Sequence, residues 1–421
     1  MSDVLTTWAG SHTFHGGPVL HPTSVAEVAD VVAGARHVRA LGSRHSFHDL
    51  ADSPGALVVL DRLEVPTVVD PGAGTVTVGG GVRYGELARD LHAAGWALHT
   101  MASLPHIAVA GTVATATHGS GDGAQNLSAA VRGLEVVGVG GQVRTLGPDD
   151  ELAGSVVALG GLGVVTRVTL AVQPTYDVAQ EVWLDLPWST ALDRFDALMS
   201  SAYSVSLFTD WRGPTVGQVW RKHRVDGGAW SLPAAGDELA GARPADGPVH
   251  PLPGVDPSAC TQQGGVPGPW HERLPHFRLE FTPSAGAELQ SEWLVPREHA
   301  AAAIEALRAL AHLTSPLLQV SEVRTIAGDD LWLSTAHGGD RVGLHFTWLP
   351  QRAEVEAVLP VVEEALAPFG ARPHWGKLFA DRDRSLRELY PRWDDAVALL
   401  ARHDPDGLFA NEFLNRHGLR G

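Results

Sequence analysis

The apolar periodicity of this chain changes near residue 177, and no other feature of the sequence narrows the fold as far. Before that point helical and strand-like segments alternate. Residues 24–35 read as a helix, with Ser24 placed to cap it, Glu27 three residues on, and Val25, Val28, Val31 and Val32 on one stripe. Val38 to Leu41 reads as a short strand, 57–63 and 75–79 as two more, and a second helix follows with Tyr84, Leu87, Ala88, Leu91 and Ala94 at helical spacing. Residues 134–146 and 156–173 look like strands of a β-rich module that Pro174 closes. Beyond 177, a helix near 189–202 is followed by strand-like runs near 203–209, 216–222, 277–281, 288–295, 317–326 and 342–348, with an alanine-rich helix at 297–313. Such a succession builds an antiparallel sheet with helices, so the second module differs from the first. Residues 226–270, dominated by Gly, Pro, Ala and Asp, read as a long irregular surface excursion.

The chain has 421 residues, enough for two domains or one large composite, and its apolar fraction of 44% against 19% charged residues can fill a sizeable core. A net charge of −17 argues against a polyanion-binding protein, and no basic run interleaved with aromatics points to nucleic acid. Cys260 is alone, so neither an internal disulfide nor a cysteine-based zinc spacing arises, and a packed or loop thiol is expected. The start Met1-Ser2-Asp3-Val4 lacks the features of a secretory signal, and the longest apolar runs fall short of the roughly 20 residues that span a bilayer. A soluble cytoplasmic protein without a membrane partner is therefore expected.

Two polar clusters interrupt the apolar pattern. Gly42-Ser43-Arg44-His45-Ser46-Phe47 follows an apolar run and is crowded with hydrogen-bond donors, as a bound phosphate or a tethered cofactor requires. His374-Trp375-Gly376-Lys377 sets a lone lysine beside bulky aromatics near the C-terminus. Residues 106–121 are rich in Ala, Gly, Thr and Ser, and a backbone with so little side chain can lie close to another molecule. In the 317–326 strand, Glu322 and Arg324 share one face, and in the next strand His345 and Thr347 share one face while Leu344, Phe346 and Trp348 occupy the other. If the two strands are neighbours, Glu, Arg, His and Thr converge on a patch suited to a polyol or sugar. Each feature has a plainer reading. The convergent face would also suit the solvent side of a half-buried sheet, His45 a turn histidine bonded to backbone, and 108–121 tight packing between strands. Lys377 would be a solvated lysine, Ser103 a loop serine and Asn411 a turn residue.

Standard nucleotide fingerprints are absent: there is no strand–GxGxxG–helix unit and no GxxxxGK[ST] loop, and Gly160-Gly161-Leu162-Gly163 precedes a strand rather than a helix. Nor is there a GxSxG elbow or an HExxH pair. Ordered matches over nearly the whole length instead point to a family. They comprise Trp8-Ala9-Gly10, the 42–47 cluster, Met101-Ala102-Ser103-Leu104-Pro105-His106, Gly111-Thr112-Val113-Ala114-Thr115-Ala116-Thr117-His118-Gly119, residues 203–211, His374-Trp375-Gly376-Lys377 and 404–411. In these the chain resembles the alditol (xylitol) oxidases of the vanillyl-alcohol oxidase superfamily of FAD proteins. The 226–258 region matches least.

The resemblance implies an α+β fold: a two-subdomain FAD-binding module from residues 1–176, completed by about 376–421, and an α+β substrate-binding cap at 177–375 with an antiparallel sheet. It implies FAD joined covalently through His45, with Gly42, Ser43, Arg44, Ser46, Phe47, Ser103, Gly111, Thr115, Ala116, Thr117, His118 and Val165 also touching the cofactor. It places His345, Lys377 and Arg324 in catalysis and Ser103, Glu322, Arg324 and Thr347 on the substrate. No metal is implied. His345 is the expected base, on the ground that a histidine titrates near neutrality. The activity implied is oxidation of the terminal hydroxyl of a small polyol such as xylitol or sorbitol, with O2 reduced to hydrogen peroxide by a monomeric enzyme. An aldonolactone oxidase or dehydrogenase of the same superfamily is the alternative.

Overall fold

The computed structural model describes residues 4–148, 150–281, 288–380 and 386–420. The first helix, Val25–Gly34, forms where its cap specifies: Ser24 Oγ accepts the Glu27 N–H at 3.2 Å, and Glu27 Oε2 accepts the Thr23 N–H at 2.7 Å. Its buried Val28 and Val32 pack on Val38 and Val58 of a small parallel sheet ordered Val19–Leu20, Ala56–Val58, Val38–Ala40. The strand expected over 57–63 ends at Val58.

A second, antiparallel sheet runs Val68–Asp70, Thr75–Gly79, Val164–Ala171, Val131–Val137, Val143–Leu146. The expected 134–146 strand is thus two strands hinged at Gly138–Gln142. The expected 156–173 strand begins only at Val164, because Leu159, Gly160 and Gly163 hold φ values of 53°, 75° and 138°, which a strand does not allow. Helix Tyr84–Ala93 buries Leu87, Ala88 and Leu91 as its spacing requires. The small-residue stretch contains a short helix, Val109–Ala114, rather than packed strands.

The largest sheet is antiparallel and ordered Arg243–Pro244, Asp177–Pro187, Thr215–Val225, Ser204–Thr209, Leu318–Ile326, Arg341–Trp348, Leu289–Pro296, Arg372–Pro373. One face packs Leu207, Val219, Trp293, Val323, Leu344, Phe346 and Trp348 against helices Ala300–Ala309 and Arg352–Leu366. Several expectations change here. Strand Asp177–Pro187 and helices Arg352–Leu366 and Trp393–His403 had no counterpart in the sequence reading. The 189–202 helix breaks at Arg194, and the 297–313 helix is a 3-10 turn followed by two segments interrupted at Leu310. Residues 277–281 form no strand: Phe277 makes an isolated bridge to Cys260, and Arg278 N–H donates to Ala259 O at 3.0 Å.

The C-terminal segment returns to the N-terminal part. Val38 N–H donates to Leu408 O at 3.0 Å, Arg39 Nη1 to Phe409 O at 2.8 Å, and Asn411 Nδ2 to Leu50 O at 2.9 Å. Among the described residues no helix is long and apolar enough to cross a membrane.

Candidate functional site

A cavity of about 510 Å³ lies between the N-terminal sheets and the large sheet. Of the residues expected at a cofactor, Gly42, Ser43, Arg44, His45, Ser46, Phe47, Ser103, Gly111, Thr115, Thr117, His118 and Val165 line it. Ala116 does not: it is fully buried in the neighbouring core at φ 52°. Arg324 and Lys377 line the far end beside Gln290 and Glu292. Glu322, His345 and Thr347 stand just behind that wall.

The 42–47 loop presents unpaired polar groups. Leu41 N–H donates to Val58 O and Phe47 N–H to Gly376 O, but among the described hydrogen bonds the N–H groups from Gly42 to Ser46 have no acceptor. Arg44 takes a left-handed φ of 64°, a conformation costly for a non-glycine residue unless its surroundings impose it. His45 stacks on Trp8, with ring centroids 5.3 Å apart and planes 16° from parallel. Among the described residues neither buried ring nitrogen makes a hydrogen bond of good geometry, though the ring interacts with the Ser43 backbone. Burial lowers the His45 pKa to about 4, so the ring is neutral at physiological pH. Buried polar atoms left unpaired call for a ligand or another explanation. Gly111 agrees: a Cβ built there would meet nothing within 4 Å, so the glycine leaves cavity space open. Successive free N–H groups suit a pyrophosphate, and the volume falls in the roughly 300–1,000 Å³ range of cofactor sites. The residues therefore fit FAD.

At the other end, three adjacent strands align Glu292, His345 and Glu322 in one row, since His345 is directly opposite both carboxylates. Glu292 is 1% exposed. Lys377 Nζ donates to its Oε2 at 2.6 Å, and Arg324 Nη2 to its Oε1 at 3.2 Å, while His118 Nε2 lies 3.3 Å from Oε1. Burial opposes ionisation, but Lys377, His118 and Arg324 hold the Glu292 carboxyl well below its usual range. Arg324 Nη1 also donates to Ser103 Oγ at 3.1 Å, and its Nε is 3.5 Å from Glu322 Oε2. Burial would raise the Glu322 pKa, yet Arg324 and His276 depress it. The convergent face inferred from alternation is therefore real, and it is buried rather than solvated.

His345 needs a correction. Its Nδ1 is 2.9 Å from Lys377 Nζ and its Nε2 3.1 Å from Thr347 Oγ1, so both nitrogens are engaged. Burial, then the Lys377 cation, push its pKa well below 6.5, so titration near neutrality does not hold. The sequence reading missed Glu292, the hub of the cluster, and gave no role to His276, whose Nε2 is 2.8 Å from Glu322 Oε1. In the 288–295 run Gln290 and Glu292 share one face while Leu289, Trp293 and Val295 share the other, and that alternation was the available signal for Glu292.

Residues 18–147 match the FAD binding domain family, and 287–417 match the D-arabinono-1,4-lactone oxidase family. The chain is 51% identical to the alditol oxidase of Streptomyces sp. (strain IKD472 / FERM P-14339), covering 98% of this chain and 99% of that protein. It is 31% identical to the L-gulono-1,4-lactone dehydrogenase of Mycobacterium tuberculosis (strain ATCC 25618 / H37Rv), covering 99% of each. Among solved structures, cholesterol oxidase from B. sterolicum superposes with a TM-score of 0.78 at 14% identity, covering 98% of this chain and 96% of that one. The expected α+β architecture, an FAD-binding module with an antiparallel-sheet domain, is the one observed.

Proposed function

Because the chain belongs to the alditol oxidase family of FAD-binding oxidoreductases, we propose that it oxidises the terminal CH–OH of polyols such as xylitol and sorbitol to the aldose, with O2 as final acceptor and hydrogen peroxide as product. The observation that carries this reading is one cavity with donors suited to a pyrophosphate at one end and a buried Glu292–Lys377–Arg324 cluster at the other. FAD, when bound, supplies the acceptor for the substrate hydride and hands the electron pair on to O2. His45 is the proposed point of covalent attachment, supported by a neutral ring that lines the cavity and has no side-chain hydrogen-bond partner among the described residues. On this reading 1–176 and about 376–421 hold the cofactor and 177–375 carry the substrate end, in a monomeric cytoplasmic enzyme.

The chain's own groups have separable tasks. Ser103 Oγ accepts from Arg324, so its own proton is available to a substrate oxygen. Lys377 uses two donors on Glu292 and His345, leaving a third for the reacting hydroxyl, where it stabilises developing alkoxide charge. His345 serves at one remove: its Nδ1 accepts from Lys377 Nζ and holds that cation against the reacting hydroxyl, whose proton leaves to water. Glu322 and Thr347 orient Arg324 and His345, and through them the substrate hydroxyls.

The match of 287–417 to lactone oxidases favours one rival, oxidation of an aldonolactone. A peroxide-coupled assay with xylitol and L-gulono-1,4-lactone separates the two, and preference for the lactone would reverse the assignment. The absorption spectrum before and after acid precipitation tests the tether: flavin in the pellet supports His45, and flavin in the supernatant removes it.

A further inference from the structure

The irregular 226–270 segment, with the residues that follow it to 281, is not confined to the surface. Its later part turns inward, burying Thr261, Trp270 and His276. His276 N–H donates to Ser103 O at 3.1 Å, and Thr261 N–H donates to His276 O at 2.9 Å. The ring of His276 has a fixed polarity. Its Nε2 lies 2.8 Å from the Glu322 carboxylate, which can only accept, so Nε2 carries the proton and Nδ1 accepts. Lys222 Nζ, 3.3 Å away, is the donor to Nδ1. Lys222 is 1% exposed and also donates to the carbonyls of Leu274 and Pro275. Among the described residues no carboxylate forms an ion pair with it. An ammonium buried without a counter-ion is costly, and the proposed chemistry uses neither Lys222 nor His276 directly.

These contacts close a ring through the substrate end. Ser103 O accepts from His276, His276 donates to Glu322, Glu322 faces Arg324, and Arg324 donates to Ser103 Oγ. We infer that Lys222 and His276 are positioning residues for the polyol: Lys222 holds the His276 ring in the tautomer that donates to Glu322, and His276 pins Ser103 and Glu322 in register with each other. The 226–281 segment therefore sets affinity for the hydroxyls of the substrate. This rests on the alditol reading above.

Burial lowers the Lys222 pKa to about 7; Glu322 and Cys260 oppose the shift and Arg324 adds to it. The Lys222 cation is present below that value and lost as pH rises through it. The neutral amine keeps two N–H groups for three acceptors, and the contact to His276 Nδ1, the longest at 3.3 Å, is the one given up, while His276, itself lowered to about 4, stays neutral over this range. Affinity for the polyol should therefore fall above about pH 7.

The test is steady-state oxidation of xylitol from about pH 6 to 9 by the holoenzyme and by Lys222→Met, His276→Leu and His276→Gln, with flavin content and unfolding midpoint measured on each. Loss of a hydrogen bond to a charged group predicts a KM raised roughly tenfold or more in Lys222→Met and His276→Leu. The change in kcat should be smaller and FAD content unaltered. Gln can accept and donate at once, so His276→Gln should keep KM within about threefold of the parent. The alkaline rise in KM should vanish in Lys222→Met. Parental KM values in Lys222→Met and His276→Leu, or a His276→Gln variant as impaired as His276→Leu, would overturn the inference while leaving the alditol reading intact. A flavin-loaded parent inert towards every polyol would overturn that reading, and the inference with it. Should Lys222→Met not fold, the contrast between the two His276 variants decides.

Discussion

At the end of the cavity bounded by residues 42–47, the N–H groups from Gly42 to Ser46 have no acceptor among the described residues and His45 has no side-chain hydrogen-bond partner there, whereas at the other end Glu292, Glu322, Arg324 and Lys377 pair with one another. The first region is built around something outside the chain. The second balances two carboxylates against two cations, and on the proposed function would receive a neutral polyol without importing charge. On the proposed function a tethered cofactor would stay put, so its site could leave donors open for it. A substrate comes and goes, so its site must remain stable when empty.

Removing one member from each end should give opposite results. Glu292→Leu leaves Arg324 and Lys377 buried without their shared partner and should destabilise the protein by about 3–5 kcal/mol, read from urea midpoints. His45→Ala removes only the ring's contact to the Ser43 backbone and its stacking on Trp8, and should change the stability of the FAD-free protein by less than about 1 kcal/mol, while releasing flavin to the supernatant on acid precipitation. Equal losses in the two variants would end the contrast.

Gly111→Leu sharpens it. The new side chain enters open space on a short helix, so folding should be untouched, while FAD retention falls at least about tenfold, measured as flavin absorbance per protein. Acid should affect the two ends unequally. Glu292 and Glu322 have folded pKa values depressed below the ordinary glutamate value of 4.5, so their contribution to stability is full above that value and is lost as pH falls towards the folded values. Urea midpoints between about pH 6 and 3 should fall for the parent and fall less for Glu292→Leu. The smallest effect lies away from both ends: Ser24→Ala removes a helix cap and should lower stability by about 1 kcal/mol with activity unchanged.

Local rules made part of this legible. The Ser24 cap, the buried stripe of helix Tyr84–Ala93 and the alternation that pairs Glu322 with Arg324 and His345 with Thr347 are short-range patterns, and the structure follows them. Where residues with left-handed φ intervene, as at Leu159 to Gly163, or where a helix breaks, as at Arg194, the same rules overran the element.

By itself, then, the sequence determined the two-module order, the donor-rich 42–47 loop and the polar faces of two strands, because each depends on residues a few positions apart. The tertiary structure alone decided that Glu292 would be the hub, since its partners Arg324 and Lys377 lie 32 and 85 positions away and meet it only through the register of three strands and the return of the chain. It also decided that an excursion rich in Gly and Pro would deliver His276 beneath the substrate end, 46 positions from Glu322. Hydrogen bonds and ion pairs over such separations carry no periodic signature, because chain folding, not spacing, brings their atoms within 3 Å or so of each other.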